Sequence, residues 1–201
     1  MRRPDPERSP RILGGRFRGR ALFVAEGLVT RPARALVRRS LFDSLQDAVV
    51  GARWLDLFAG SGAFGIEALS RGAAHATLVE AGREGIRCLR ENLARLELAP
   101  PEAELLTGRL PGLLHTPPPA GAPFDFISLD PPFAMVRSSD TRAELIAALA
   151  AAGPLGWWRP GALLLFEEPG DAPAPIPAGF EQEERREHGA TSRLRRLRYR
   201  G

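Results

Sequence analysis

Apolar and polar positions change their spacing twice along the chain, and each change marks a different kind of element. Residues 1–10 are polar and charged with three prolines, and they are expected to be disordered. Between Arg11 and Phe23, short apolar steps surround Gly14 and Gly15, which predicts a small hairpin turning at the two glycines. Thr30 and Pro32 then open a helix to about Ala48, because Leu36, Val37, Leu41, Phe42 and Leu45 recur at helical spacing.

From Arg53 the pattern becomes an alternation of apolar runs and amphipathic stretches. Strands are expected at Trp54–Phe58, Ala76–Glu80, Glu104–Thr107, Phe124–Asp130 and Ala162–Phe166. Helices are expected at Ala63–Arg71, closed by Gly72, at Arg83–Leu96 and at Thr141–Ala152. The Pro-rich stretch 169–179 reads as irregular. Phe180–His188 and Ser192–Arg200 read as a closing antiparallel pair around Gly189. Such alternation predicts an α/β fold, a mostly parallel sheet covered by helices on both faces. Ligands then bind beyond the carboxyl ends of the strands, so the residues just after each strand carry the chemistry.

Composition narrows the class. The 201 residues are 44% hydrophobic, enough for one domain with a real core. No apolar run approaches the ~20 residues of a membrane span, and the first residues, Met1-Arg2-Arg3-Pro4, do not open a signal peptide. A cytoplasmic protein is expected. A single cysteine, Cys88, excludes an internal disulfide and falls in the second helix pattern as a buried residue. His75, His115 and His188 are scattered, without metal-ligand spacing, and no metal is predicted.

The net charge is +4, and all 28 basic side chains are arginines. Genome bias accounts for the missing lysine but not for where the arginines lie. They cluster at the two ends, in residues 1–39 and in Arg193–Arg200. Basic ends around a neutral middle suggest a polyanionic partner, the plain alternative being a solvated basic arm.

After the first strand comes Asp56-Leu57-Phe58-Ala59-Gly60-Ser61-Gly62, and a helix follows at once. Gly60 and Gly62 allow close backbone approach to a ligand, and the helix start offers free N–H groups. Gly60-Ser61-Gly62-Ala63-Phe64-Gly65 also fits the dinucleotide pattern, with Glu80 about 20 residues on. Both NAD and S-adenosylmethionine carry a ribose whose hydroxyls such an acid accepts. Asp56 discriminates between them. A carboxylate there would repel a pyrophosphate and attract the ammonium of a methionine moiety, so the loop favours S-adenosylmethionine.

The fourth strand runs into Asp130-Pro131-Pro132-Phe133. The prolines stop the strand and remove two N–H donors. The Asp130 carboxylate and the Pro131 carbonyl can accept from the two N–H groups of an exocyclic amine, whose lone pair is otherwise delocalised into its ring. Phe133 offers a face on which a base can stack. A base within a stem would first have to leave its stack. The acid at 130 and the glycine turn at 60–62 are expected to line one cavity.

With these residues in place, the chain resembles the RsmD-type 16S rRNA guanine-N2 methyltransferases. Arg11–Leu22 is similar to that family's amino-terminal signature, and Arg31-Pro32 with Val37-Arg38 and Leu41-Phe42 to its next helix. Leu55–Gly62 with Gly65, Glu67 and Ala68 resembles its cofactor loop, Glu80 its ribose acid and Asp130–Phe133 its catalytic motif. The chain departs from the family at Ala33–Leu36, at Arg39 and at Gly108-Arg109, where an adenine-contacting polar residue is usual.

The resemblance implies a Rossmann-like class I methyltransferase fold, a seven-stranded, mostly parallel sheet with an antiparallel C-terminal strand. It implies an RNA-facing extension at 1–50 and an S-adenosylmethionine-dependent methyltransferase domain at 51–201. Asp130, Pro131, Pro132 and Phe133 would be catalytic. Asp56, Phe58, Gly60, Ser61, Gly62, Glu80, Gly108 and Arg109 would bind the cofactor, S-adenosylhomocysteine being its product form. Arg11, Arg16, Arg18, Arg20, Arg34 and Arg38 would bind RNA. The partner implied is 16S rRNA in an assembled or partly assembled small subunit, met by a monomer. The rival readings are an adenine-N6 nucleic-acid methyltransferase and a non-catalytic RNA-binding assembly factor with the same fold. A nicotinamide oxidoreductase finds no hydride-site residue.

Overall fold

The computed structural model describes residues 9–24, 32–188 and 192–201 and divides into two compact units, Met1–Thr107 and Gly108–Gly201. In the first unit, β1 (Arg53–Leu57), β2 (His75–Glu80) and β3 (Ala103–Thr107) run parallel in the order β3-β2-β1, with Asp56 opposite Leu78 and Glu80 opposite Thr107. β1 and β2 are mostly apolar on both faces, with Trp54, Leu55, Leu57, Leu78 and Val79 fully buried, as strands covered on both sides require. The helix α1 (Pro32–Leu45) packs Val37, Leu41, Phe42 and Leu45 inward, and the Phe42 ring stacks on Trp54 at 5.1 Å.

Two further helices connect these strands. α2 (Ala63–Ser70) ends at Gly72, whose φ of +101° is the left-handed conformation that closes helices at least cost. α3 (Arg83–Arg95) buries Gly85, Cys88, Leu89, Asn92 and Leu93, one stripe at helical spacing.

The amino-terminal segment differs from the expected two-residue hairpin. Arg11 and Ala21 form an isolated antiparallel bridge, and the reversal is a short 3-10 turn at Gly15–Phe17 followed by Gly19. Gly14 and Gly15 serve close approach instead: a Cβ on Gly15 would lie 1.7 Å from the Ser70 carbonyl oxygen at the end of α2. The expected disorder at the extreme amino terminus, the helix start at Thr30 and the turn at Gly189 fall outside the described residues. α1 also stops earlier than expected, giving way to a 3-10 turn at Gln46–Val49.

In the second unit, β4 (Phe124–Leu129) pairs in parallel with β5 (Trp158–Pro169). β7 (Ser192–Tyr199) runs antiparallel between β5 and β6 (Phe180–His188). The order is β4-β5-β7-β6. β5 is longer than Ala162–Phe166 because an irregularity between Phe124 and Phe126 lets Trp158 join before Gly161 (φ +87°), and β7 extends the pairing to Pro169. Trp158, Phe180 and Tyr199 form an aromatic cluster with centroids 5.2–6.3 Å apart. α4 (Phe133–Arg137) leads into α5 (Ser139–Ala152), which buries Leu145, Ala148, Leu149 and Ala152. The seven strands are those of a mostly parallel α/β fold whose antiparallel pairings both involve β7. Among the described residues, no helix is long and apolar enough to cross a membrane.

Candidate functional site

The turn after β1 is bent sharply. Phe58 has φ +61°, a left-handed conformation costly for a bulky side chain, and Gly60 and Gly62 follow at +58° and +84°. The Gly62 N–H donates to the Ala59 carbonyl at 2.8 Å, closing the turn, and Gly62 caps the start of α2. The glycines have different reasons. A Cβ on Gly62 would strike Leu89 at 2.7 Å and Ile66 at 2.9 Å, whereas one on Gly60 would meet nothing nearer than the Phe58 oxygen at 4.0 Å. The loop is therefore packed at Gly62 and open at Gly60.

Two carboxylates hold this turn. Asp56, 3% exposed, accepts from the Gly65 N–H at 2.9 Å and so ties β1 to the first turn of α2. Glu80, at the end of β2, accepts from the Gly60 N–H at 2.8 Å, from Ala81 at 2.9 Å and from Gly82 at 2.7 Å. Charge-assisted bonds of this kind are the strong ones, so the acid end of β2 and the glycine turn form one rigid rim.

In the second unit Asp130 is half-buried just beyond β4, and Pro131 is buried. The chain turns here into α4: Pro132 caps the helix, its carbonyl accepting from the Met135 N–H at 2.8 Å. Phe133 is the first residue of α4, only 8% exposed, with the Arg137 guanidinium 5.7 Å from its ring centre. The sequence pattern does not announce this short helix, since five residues carry too little periodicity to show one. Gly108 is half-buried with room limited by Leu113 at 3.0 Å, and the exposed Arg109 offers its carbonyl to the Leu113 N–H.

The arginines separate into groups. Arg18 and Arg20 are exposed and carry no ion pair among the described residues. Arg11 donates to the Gly19 carbonyl at 3.0 Å, and Arg16 pairs with Glu102 while lying 4.5 Å over the Phe17 ring. The side chain of Arg34 lies outside the described residues. Arg38 corrects the expectation of an RNA contact. It is 2% exposed, its Nη2 donates to the Arg11 carbonyl at 2.6 Å and its Nε lies 3.6 Å from the Glu67 carboxylate. Burial pushes its guanidinium below the ordinary value, against the pull of Glu67 and Asp56.

The carboxyl-terminal arginines are also committed internally. Arg196 faces Glu184, Arg198 faces Glu183 and Arg200 faces Glu181 across β6 and β7. Arg195 and Arg193 approach the buried Glu168 at 3.3 and 3.7 Å. The basic cluster read from the sequence at this end is therefore balanced by the acidic strand beside it.

Two further residues escape the sequence reading in these roles, and both leave a signal in it. Glu67 is a lone carboxylate in the otherwise apolar α2; fully buried, it accepts from the Leu13 N–H at 2.8 Å and from Arg71 at 2.8 Å. Asn92 is a polar residue in the apolar stripe of α3 and donates to the Ser61 carbonyl at 2.9 Å.

Comparison with known proteins agrees with the fold and with the family resemblance. The family model described as "Conserved hypothetical protein 95" matches residues 10–195. The Ribosomal RNA small subunit methyltransferase D of Escherichia coli (strain K12) is 41% identical over 135 residues, spanning 66% of this chain and 66% of that protein. The protein of the same name from Haemophilus influenzae is 33% identical over 178 residues, 88% of each chain. The solved structure of yhhF from Escherichia coli superposes with a TM-score of 0.80 at 34% identity, covering 96% of this chain and 98% of that one. The chain belongs to the conserved hypothetical protein 95 family, the RsmD-type family that its glycine turn and Asp130–Phe133 motif resemble.

Proposed function

We propose that this chain transfers a methyl group from S-adenosylmethionine to the exocyclic N2 of one guanine in 16S ribosomal RNA, presented in an assembled or partly assembled small subunit. The observation that carries the reading is the rim after β1 and β2. An open backbone face at Gly60 stands beside the Glu80 carboxylate, which is bonded to the Gly60 N–H at 2.8 Å. The names of the Escherichia coli and Haemophilus influenzae relatives, small-subunit rRNA methyltransferases, support the substrate class.

The residues present fit the proposed cofactor. Glu80 is the acceptor for ribose hydroxyls, and the open face at Gly60 admits a ligand where a side chain would not. Asp56 supplies negative charge beneath the turn, although its depth leaves it to act on the methionine ammonium chiefly as a field. Phe58, Ser61 and Gly62 shape the same turn, and Gly108 and Arg109 are the proposed adenine contacts. The cofactor supplies an electrophilic methyl carried on a sulfonium sulfur.

The remaining work falls to the chain. Asp130 and the Pro131 carbonyl accept hydrogen bonds from the two amine N–H groups, which favours a pyramidal nitrogen with its lone pair less delocalised into the ring and directed toward the methyl to be transferred. As the nitrogen gains positive charge, the Asp130 carboxylate disperses it and takes up the proton released. Phe133 supplies the stacking face, and the helix-capping Pro132 fixes the backbone that presents both acceptors. Stacking requires the buried ring of Phe133 to be uncovered when the base enters. Residues 1–50 serve as the RNA-facing extension, through Arg11, Arg16, Arg18, Arg20 and Arg34, and residues 51–201 carry the transfer.

The deciding experiment is labelled methyl transfer to small subunits lacking the modification, with product nucleosides identified by mass spectrometry. N2-methylguanosine is expected. N6-methyladenosine would establish the adenine reading, and RNA binding without transfer would establish the assembly-factor reading. Asp130→Ala should abolish transfer while binding of S-adenosylhomocysteine, measured by calorimetry, persists.

A further inference from the structure

Asn92 sits on the buried stripe of α3, 1% exposed, between Leu89 and Leu93. Its Oδ1 accepts from the Phe23 N–H at 2.6 Å, and its Nδ2 donates to the Phe23 carbonyl at 3.0 Å. The same Nδ2 donates to the Ser61 carbonyl at 2.9 Å. One side-chain amide thus gives Phe23 the pair of bonds a neighbouring strand would give, and spends its second N–H on the glycine turn. No smaller or singly functional group can make all three bonds.

Both ends of this link are held independently. The Phe23 ring is buried with Cys88 of α3, and the Arg87 guanidinium lies 5.3 Å from its centre. Ser61 lies between Gly60, whose N–H is bonded to Glu80, and Gly62, which caps α2. A shift of the turn that moves the Ser61 carbonyl must therefore either break its bond to Asn92 or pull on the group that holds Phe23. Buried polar groups left without partners lose the hydrogen bond without regaining water, so the second course is favoured.

We propose that Asn92 is a positioning residue that couples occupancy of the Gly60–Gly62 turn to the order of the amino-terminal segment at Phe23, and through it of the loop bearing Arg18 and Arg20. The inference rests on the proposed use of S-adenosylmethionine at that turn. Asn92 touches no reacting group; it acts through Ser61 and Phe23. Such coupling is reciprocal, so the amino-terminal segment, once docked on RNA, favours the loaded turn to the same degree.

The test is amide hydrogen exchange on the full chain with and without S-adenosylhomocysteine, beside calorimetry of the same ligand. The ligand should slow exchange at residues 60–62 and also at the Phe23 amide, the latter by about fivefold or more. Asn92→Asp keeps the acceptor for the Phe23 N–H and loses both donor bonds; in it, protection at 60–62 should persist while the response at Phe23 disappears. Protection at 60–62 with an unchanged Phe23 in the native chain overturns the coupling and leaves the functional reading standing. Absence of any S-adenosylhomocysteine binding overturns the functional reading and the coupling with it. If the variant does not fold, the native chain alone decides.

Discussion

The Arg38 guanidinium and the Glu67 carboxylate lie 3.6 Å apart with side-chain exposures of 3% and 0%. Removing Glu67 takes the counter-charge from a buried guanidinium, at a cost of about 3–5 kcal/mol, whereas removing Arg38 leaves Glu67 its bonds from Arg71 and from the Leu13 N–H. Glu67→Ala should lower stability by that order in urea unfolding, and Arg38→Ala by less. The double variant should cost clearly less than the two single costs added. Full additivity would show that the two side chains do not interact.

Gly15 is held at φ +72°, with no room for a side chain above the Ser70 carbonyl. Gly15→Ala should therefore destabilise by at least about 2 kcal/mol, since both strain and a backbone clash oppose it. Gly19, at φ +83° with open space around it, should tolerate alanine better. Equal unfolding midpoints for the two variants would contradict this account.

Salt dependence should separate the two basic ends. Every arginine that neutralises a phosphate of a single strand adds about 0.7 to the slope of log affinity against log salt. Arg18→Ala with Arg20→Ala should flatten the slope for a 16S rRNA fragment accordingly. Arg196→Ala with Arg198→Ala should leave it unchanged, because those side chains already face Glu184 and Glu183. The reverse ranking in anisotropy titrations would move the RNA surface to the carboxyl terminus.

Two carboxylates of the C-terminal strands respond to pH in opposite senses. The Arg198 guanidinium, bonded to Glu183, holds that carboxyl below its ordinary 4.5. The unfolded chain then binds the proton more readily. The stabilisation, at most about 1 kcal/mol for so exposed a pair, is present above about pH 4.5 and lost as pH falls through the lowered value. Burial pushes the Glu168 carboxyl above 4.5, against the pull of the Ala174 N–H and Arg195. Here the native state binds the proton more readily, so the contribution is full below about pH 4.5 and lost as pH rises through the raised value. Urea midpoints across the range should show Glu183→Gln losing its acid-side slope and Glu168→Gln losing the opposite one. Native slopes in both variants would contradict the assignments.

The glycine turn after β1 is legible in the sequence because every requirement on it is local: a strand, left-handed glycines, a helix start and an acid one strand away. β1, β2, α3 and β4 fall within a residue or two of their expected limits for the same reason. Arg38 is misread from sequence because its partners Glu67 and Arg11 are distant along the chain, and helical spacing alone does not tell a buried cation from an exposed one. The carboxyl-terminal arginines look like a free basic cluster when charge is counted along the chain. The register that sets Arg198 opposite Glu181 and Arg195 opposite Arg185 becomes visible only once the strands are paired. The early strand start at Trp158 depends on an irregular pairing with β4, which no alternation of residues announces.

The charged outer strand has a consequence beyond ion pairing. β6 ends the sheet of its unit, and an uncovered edge presents backbone donors and acceptors that another chain can adopt as a template. Here that border reads Glu181, Gln182, Glu183, Glu184, Arg185, Arg186, Glu187, most of it solvent-facing. An incoming strand would have to strip water from both signs of charge at once. The border thus disfavours edge-to-edge self-association, and neutralising it should show first as aggregation rather than as unfolding.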